Sequence, residues 1–310
     1  MSINIDEITN LQQWKTWALQ ELEKNHEGSH SVQAELEELW MFFIGNTTME
    51  RLSLKALEAF RNAIQLRSHD HYPLAYLTGE CTFAGNRFFI SEQPSENYRQ
   101  GINLINKSFD SYKTYVPRVE TEWIVKRTAQ ELKNRSKTAS HPLRVLDIAT
   151  GSGCLAISIK KYCPEVDVTA VDISKQALKV AQRNQKENGV SIRLLQGSWF
   201  DPVLPETFDL VICNPPYVPI DQIQQLSRGA NHEPKQAHHP QESPEALFEH
   251  LYKQVREVLK ADGCYIFEIG FGQFGSENFN IAEAANSVGL TAQIHKDKDG
   301  TERFVTGSLI

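Results

Sequence analysis

The sequence predicts a protein of the α/β class, in which a small helical domain precedes a sheet of seven strands. Two patterns lead to this prediction. In the N-terminal region, large apolar side chains recur every three or four residues, as in amphipathic helices. From residue 144 onward, short apolar segments alternate with helical ones, which is typical of a parallel sheet with both faces covered. With 310 residues, the chain is long enough to bury a sizeable core.

The helical region is predicted to extend from residue 5 to about residue 79. Thr9 and Ser53 are predicted N-caps, and Gly28 and Gly45 are predicted helix ends. The aromatic members of the helical pattern are interpreted as core packing rather than as a ligand site. The positions at helical spacing are Trp14, Trp17, Ala18, Leu22, Leu36, Leu39, Trp40, Phe43, Leu54, Leu57, Phe60 and Ile64.

The join between the two regions is predicted to be a β-hairpin. An extended segment over residues 71–80 ends at a glycine turn, and residues 83–90 alternate as a strand does. Residues 91–111 are polar and are interpreted as an inserted surface loop. The predicted domains are therefore a helical domain, a hairpin linker with its inserted loop, and a sheet domain, over residues 1–80, 81–116 and 117–310.

The sheet domain is predicted to open with a helix from Val119 to about Leu132, whose first turn holds Glu120 and Glu122 at the positive end of the helix dipole. The last two strands flank the tight turn at residues 297–300 and are predicted to pair antiparallel. The predicted strands are residues 144–149, 166–172, 192–196, 208–213, 264–269, 291–295 and 303–306, and the predicted helices are 154–162, 175–187, 246–259 and 281–288.

Composition excludes several classes of protein. The chain has 39 acidic and 32 basic residues, so a protein that holds nucleic acid by broad phosphate neutralisation is not expected. Its five cysteines are scattered singly, which indicates reduced thiols and neither a disulfide framework nor a metal site. The first residues lack the features of a secretory signal, and no apolar run is long enough to cross a bilayer. We expect a cytoplasmic protein with no membrane partner and no stable nucleic-acid partner.

The apolar run at residues 208–213 ends in Asn214-Pro215-Pro216-Tyr217. Neither proline can donate a hydrogen bond to a neighbouring strand, so this buried strand must stop there. The Asn214 amide oxygen and the Pro215 carbonyl would then be two acceptors aimed at one point, with the Tyr217 ring beside them. Such an arrangement fits a planar NH₂ group, although the same residues also occur in ordinary loops.

A glycine loop lies at the first strand-to-helix junction, where Gly-x-Gly permits a tight turn and close backbone approach. Asp172, about 20 residues further on, is placed to accept from ribose hydroxyls, and Trp199 is placed to stack on an adenine. Asp147 precedes the loop, near any amino-acid part of a ligand. Together they indicate an adenosine-containing ligand, although Gly-x-Gly alone does not separate NAD from other nucleosides. The loop residues are Ala149, Thr150, Gly151, Ser152 and Gly153.

These motifs resemble those of class I S-adenosylmethionine-dependent methyltransferases. The resemblance is closest to the protein-(glutamine-N5) methyltransferases that modify the Gly-Gly-Gln glutamine of peptide chain release factors. The more specific motifs are Tyr-Leu-Thr-Gly at residues 76–79 and Pro-Arg-x-Glu-Thr-Glu at residues 117–122. The matching segments are residues 73–79, 116–122, 147–153, 214–218, 233–234 and 299–303.

The resemblance implies a Rossmann-like methyltransferase sheet, S-adenosylmethionine as cofactor, and a release factor as the partner of a monomeric enzyme. It implies that the helical domain recognises the substrate. It also implies that Asn214, Pro215 and Tyr217 are catalytic, that Pro216, Arg118 and Glu120 contribute to substrate binding, and that the cofactor is held by Asp147, Ala149, Thr150, Gly151, Ser152, Gly153, Asp172, Trp199 and Asn214.

The chain departs from the family pattern at three places. Ser198 replaces the usual aspartate, residues 91–111 lengthen the chain before Pro117, and residues 235–241 replace a glycine-rich stretch. Its two histidines, His238 and His239, are interpreted as exposed loop residues rather than metal ligands. The alternative functions are methylation of a ribosomal-protein glutamine, methylation of an adenine amino group in nucleic acid, and cofactor binding without catalysis.

Overall fold

The computed structural model describes residues 8–26, 31–92, 113–270, 275–276 and 279–310. They form two compact units. One comprises the described residues within Met1–Cys81, Ile90–Lys113 and Gln225–Glu233, and the other comprises those within Thr82–Phe89, Thr114–Gln224 and Pro234–Ile310. The predicted division into functional domains stays a prediction. Most of the predicted inserted loop and the predicted helix end at Gly28 lie outside the described residues. Within the described ranges, no helix combines the length and the apolar character needed to cross a membrane.

The first unit is built from helices with polar caps. Ser53 caps its helix as predicted, because its side chain accepts from the backbone N–H of Ala56. The prediction for Thr9 is wrong: the cap is Asn10, whose side chain accepts from the N–H of Gln13 at 3.0 Å. The helices are α1 (Leu11–Glu23), α2 (Val32–Phe43), α3 (Leu54–His69) and α4 (Leu74–Thr78), with a 3₁₀ turn at Met49–Arg51.

The predicted aromatic core of this unit is confirmed. Trp14 packs edge to face on Trp17 and Phe60, and Trp40 packs in the same way on Phe60. These rings and Phe43 are buried. Leu54, which belongs to the same sequence pattern, is 84% exposed because it is the first residue of α3.

The predicted extended segment at residues 71–80 is wrong over its second half, which forms the short helix α4. Pro73 immediately precedes this helix, where its fixed φ is compatible with helix initiation. Gly79 ends it in the left-handed conformation, at φ 80°. A hairpin does follow, but its first strand is β1 (Glu80–Phe83) rather than the predicted segment 71–80, and it pairs across a two-residue turn with β2 (Asn86–Phe89), which lies within the predicted strand 83–90.

The second unit contains the predicted seven-stranded sheet. Five strands run parallel, and the last two pair antiparallel as predicted. The short strands β8 and β9 were not predicted. In sheet order the seven strands are β10 (Gln293–Lys296), β11 (Glu302–Ser308), β7 (Leu259–Glu268), β6 (Phe208–Cys213), β3 (Arg144–Ile148), β4 (Asp167–Asp172) and β5 (Arg193–Gln196), and the separate pair is β8 (Gly275–Ser276) with β9 (Phe279–Asn280).

The helices of this unit lie where they were predicted, but the helix predicted at 246–259 spans Pro244–Val258, and the first helix ends at Arg135 rather than about Leu132 and differs also at its start. That helix begins at Glu122 rather than Val119, because the preceding residues form tighter turns, with the N–H of Thr121 bonded to the carbonyl of Arg118. The helices are α5 (Glu122–Arg135), α6 (Cys154–Tyr162), α7 (Lys175–Glu187), α8 (Pro244–Val258) and α9 (Ile281–Ser287).

The strand order determines the edge of the sheet at which a ligand can bind. The chain winds from β3 outward through β4 to β5, then returns to the other side of β3 to form β6 and β7. The carboxyl ends of β3 and β6 therefore lie side by side at a topological switch point, where open α/β sheets bind ligands. All six residues of β6 are buried, as predicted for this strand.

Candidate active site

The glycine loop follows β3 and depends on left-handed backbone conformations. Ala149, Gly151 and Gly153 have φ values of 58°, 57° and 79°. A Cβ at Gly153 would lie 3.0 Å from the Cβ of Ala181 and from Ile157 Cδ1, so both conformation and space demand glycine there. A Cβ at Gly151 would meet no atom within 4 Å, so only its conformation favours glycine.

Asp172, at the end of β4, holds this loop in place. Its Oδ2 accepts from the N–H of Gly151 at 2.8 Å, and its Oδ1 accepts from the N–H of Ser174 at 2.8 Å. Burial raises the pKa of this carboxyl group, although the two backbone hydrogen bonds act in the opposite direction. Each carboxylate oxygen keeps a second lone pair that ribose hydroxyls can use. Its contact with a ribose stays a prediction.

Asp147 lies beneath the loop and is completely buried. Its Oδ2 accepts from the Thr150 hydroxyl at 2.5 Å and from the N–H of Ala156 at 3.2 Å, whereas its Oδ1 has no hydrogen-bond partner among the residues that the structure describes. Burial raises the pKa of this carboxyl group from 3.8 to about 7. A buried acceptor without a partner is costly, so its presence fits a site that receives a donor from a ligand. An ammonium group, as on an amino-acid moiety, would satisfy it.

Asn184 on α7 also supports the loop and was missed in the sequence. It is fully buried, and its side-chain N–H groups donate to the carbonyl oxygens of Ser152 at 2.9 Å and Phe89 at 2.8 Å. Its Oδ1 accepts from the N–H of Phe89 at 2.7 Å. A signal was present, because Asn184 continues the buried face formed by Val180 and Ala181, where an apolar residue is expected.

Asn214 lies directly beside the glycine loop. Ile148 at the end of β3 pairs with Cys213 at the end of β6, so the residues that follow, Ala149 and Asn214, leave adjacent strands at the same edge. The Asn214 side chain is half-buried, and its Nδ2 donates to the Thr121 hydroxyl oxygen at 3.4 Å. The structure thus brings the predicted NH₂ acceptor and the predicted cofactor loop together.

Glu268, at the end of β7, contacts the residues around Asn214 and was also not predicted as a site residue. It is 1% exposed. Its Oε2 accepts from the Thr121 hydroxyl at 2.7 Å and its Oε1 from the Tyr217 hydroxyl at 2.9 Å. Burial raises the pKa of the Glu268 carboxyl group, while these two hydrogen bonds and the charge of Arg303 lower it. Burial and the nearby carboxylate raise the pKa of Tyr217 well above its ordinary value.

Three further predicted site residues are Arg118, Glu120 and Trp199. The Arg118 guanidinium stacks 5.0 Å from the Tyr115 ring centre, and the charge of Glu120 contributes to the raised pKa of Glu268. Trp199 is half-buried and packs against the core of the sheet, with a φ of 44°. Its stacking on an adenine stays a prediction.

The loop at residues 235–241 supports the chain that follows Tyr217. The N–H of Val218 donates to the carbonyl oxygen of His238 at 2.7 Å, and His239 Nδ1 lies 3.2 Å from the Val218 carbonyl oxygen. The prediction that both histidines are exposed is wrong, because His238 is only 8% exposed and His239 is half-buried. Across the part of the chain that the structure describes, no group of three or more His, Cys, Asp or Glu residues is arranged to hold a metal ion.

Comparison with known proteins identifies relatives of this chain. The family model of the methyltransferase small domain matches residues 129–230. A release factor glutamine methyltransferase from Enterococcus faecalis is 34% identical over 234 residues, which cover 75% of this chain and 74% of the relative. The protein of the same name from Flavobacterium psychrophilum is 30% identical over 254 residues, covering 78% and 77%. Among solved structures, the ribosomal protein L11 methylase of Lactobacillus delbrueckii subsp. bulgaricus is 22% identical, with a TM-score of 0.44, over 63% of this chain and 81% of that one.

Proposed function

Since the chain belongs to the release factor glutamine methyltransferase family, we propose that it methylates the side-chain amide nitrogen of a glutamine in a peptide chain release factor. The methyl donor is S-adenosylmethionine, and the glutamine is that of the Gly-Gly-Gln motif. One observation carries the proposal beyond the family relationship. The pairing of Ile148 with Cys213 brings the cofactor loop and Asn214 to the same edge of the sheet.

The residues around the loop fit this cofactor. The unpartnered Oδ1 of Asp147 is placed for the ammonium group of the methionine moiety, and the carboxylate of Asp172 for the ribose hydroxyls. The left-handed residues Ala149, Gly151 and Gly153 shape the backbone that approaches the ligand. We assign the adenine face to Trp199. When bound, the cofactor supplies an electrophilic methyl group on a positively charged sulfur.

The acceptor site has to make a poor nucleophile react, because the lone pair of an amide nitrogen is delocalised into its carbonyl group. The Asn214 amide oxygen and the Pro215 carbonyl would accept the two N–H bonds of the substrate amide. This arrangement holds the nitrogen in line with the methyl group, and such positioning contributes several kcal/mol to catalysis. The same two acceptors stabilise the positive charge that develops on the nitrogen.

Tyr217 and Pro216 would enclose the amide plane and exclude water. The Tyr217 ring is anchored at its hydroxyl by Glu268, so its position does not depend on the substrate. Arg118 and Glu120, which lie just before Thr121 in the chain, would contact the substrate at the entrance. We further propose that the helical region recognises the release factor, and that the enzyme acts as a monomer in the cytoplasm, where translation is terminated.

The decisive experiment is transfer of labelled methyl groups to a purified release factor. Asn214→Ala should lower turnover by about 10²-fold or more, on the scale of one lost transition-state hydrogen bond. Because Asn214 is also an expected cofactor contact, the affinity for S-adenosylhomocysteine in calorimetry should fall by less than about tenfold, a change below about 1.4 kcal/mol and far smaller than the loss of turnover. A release factor whose motif glutamine is replaced by alanine is the matched substrate control, and it should receive no label.

The same assay separates the alternatives. A purified ribosomal protein and adenine-containing DNA are offered in parallel with the release factor. Label in either of these, with none in the release factor, would overturn the proposed substrate. Cofactor binding without turnover on any of the three would instead support a non-catalytic role.

A further inference from the structure

The proposed reaction depends on which end of the Asn214 amide faces the substrate. The oxygen end accepts the N–H bonds of a glutamine amide, whereas the NH₂ end would repel them. The two ends have the same shape, so packing alone does not select between them. A hydrogen-bond partner of fixed polarity is needed to set the orientation.

Thr121, held by Glu268, is a hydrogen-bond partner of fixed polarity. Glu268 accepts at both oxygens, from the hydroxyls of Thr121 and Tyr217, which is the pattern of an ionised carboxylate. The only hydrogen of the Thr121 hydroxyl is therefore directed to Glu268. Its oxygen can then only accept, and the group in front of it, at 3.4 Å, is Nδ2 of Asn214.

The position of Thr121 in the chain supports a role beyond local folding. It is the residue that immediately precedes α5, where threonine normally caps the helix by accepting a backbone N–H. Its side chain makes no capping bond and is instead buried against Glu268, 147 residues away in sequence. A favourable local interaction is thus replaced by a bond that connects β7 to the acceptor site.

We propose that Glu268 and Thr121 are positioning residues, which hold the Asn214 amide with its oxygen toward the substrate amide and its nitrogen toward Thr121. This inference depends on the proposed function for its catalytic consequence. The same carboxylate holds the hydroxyl of Tyr217, so one buried group orients both side chains of the acceptor site.

Variants of near-identical shape test this proposal. Thr121→Val removes the hydroxyl, and Thr121→Ser retains it. Glu268→Gln replaces one acceptor by an NH₂ group, which forces one of the two hydroxyls to reverse. The matched control is Thr128→Val on the same helix, since Thr128 is also buried and its hydroxyl has no hydrogen-bond partner within the described structure.

We expect Thr121→Val and Glu268→Gln to lower kcat about 10- to 100-fold, in the range produced by small misplacements of a reacting group. The KM for the release factor should change much less, because the protein contacts outside the acceptor site are unaltered. Thr121→Ser should restore most of kcat, and Thr128→Val should match the wild type. Values of kcat within about twofold of wild type for both Thr121→Val and Glu268→Gln would overturn the proposal.

A second readout does not depend on turnover. In selectively labelled protein, the Asn214 NH₂ protons should show a nuclear Overhauser contact with the Thr121 methyl group and should exchange faster with solvent in Thr121→Val. Absence of the contact in the folded wild type would overturn the orientation, whatever the enzyme methylates. Absence of label in the release factor with the wild-type protein would instead overturn the proposed function, and the contact would still decide the orientation.

Discussion

The side chain of Asn184 donates a hydrogen bond to the carbonyl oxygen of Ser152 at 2.9 Å, and so connects helix α7 to the middle of the glycine loop. The same side chain bonds to both backbone groups of Phe89 in β2. One buried amide therefore satisfies three backbone groups from two segments that are distant in sequence. The loop conformation depends on this side chain as well as on its own glycines.

Asn184→Ala should destabilise the protein strongly. Three backbone groups would lose their partner in a buried position, and each such loss costs about 1–3 kcal/mol. We expect a fall of about 3 kcal/mol or more in the free energy of unfolding, measured in urea, and weaker binding of S-adenosylhomocysteine. The control is Asn188→Ala, one turn further along, where a half-exposed side chain donates to the Arg87 carbonyl oxygen at 2.9 Å. Equal effects of the two substitutions would contradict this role for Asn184.

Gly153→Ala tests the packing of the loop against the helices. The substitution adds left-handed strain, worth about 1 kcal/mol, and a methyl group 3.0 Å from Ala181 and Ile157. Gly189→Ala is the matched control, because Gly189 has a φ of 65° and open space where its Cβ would lie. We expect Gly153→Ala to lower the melting temperature more than Gly189→Ala does, and to weaken cofactor binding. Similar melting temperatures for the two variants would show that the loop accommodates the methyl group.

The sheet was predictable because its signals are local. The predicted bounds are those observed for the helices Cys154–Tyr162 and Lys175–Glu187 and for the strand Phe208–Cys213. The helices show a helical period and the strand is a continuous apolar run, and boundaries such as Gly153 and the prolines after Asn214 are sharp. Helix α4 was missed because five residues are too few to show a helical period. The position of Asn10 as cap was missed because Thr9 beside it has nearly the same capping preference.

The supporting residues of the site could not be predicted in the same way. Asn214 and Asp172 stand at strand ends, where a strand followed by a turn points to a ligand. Asn184 lies inside a helix, and Glu268, although it is the last residue of β7, lay inside the predicted strand 264–269, so neither preceded a predicted turn. What they do depends on partners that are distant in the chain, such as Thr121 for Glu268. A polar residue at an apolar position signals such a role, but it does not identify the partner.

Asp172 is expected to affect the cofactor and not the acceptor site. Asp172→Ala removes charge-assisted hydrogen bonds worth about 1.5–3 kcal/mol, so affinity for S-adenosylmethionine should fall about 10- to 150-fold. It also removes the acceptor for the N–H of Gly151. Asp172→Asn keeps one acceptor oxygen and should lose less affinity. Calorimetry measures both, and unchanged affinity of Asp172→Ala would place the cofactor elsewhere.

Asp147 should make stability depend on pH in a way that asparagine does not. Its pKa is raised from 3.8 to about 7 by burial, so only about one pH unit or more below 3.8 is the carboxyl group protonated in both the folded and the unfolded chain. Between about pH 4 and pH 7 the unfolded chain releases this proton and the folded protein retains it. Folding then becomes less favourable as pH rises, by about 4 kcal/mol across the window.

The Asp147→Asn variant keeps an oxygen that can accept from the Thr150 hydroxyl and the Ala156 N–H, the two donors that bond to Oδ2 in the wild type. It lacks the titration, so its free energy of unfolding should rise relative to that of the wild type from pH 4 to pH 7 and the difference should level off above pH 7. Urea unfolding of both proteins at pH 4, 5.5, 7 and 8 measures this difference, in which the other titrating groups cancel. Parallel pH profiles would mean that Asp147 is already ionised at pH 4 in the folded protein. Its buried oxygen would then have a partner other than the groups that the fold provides.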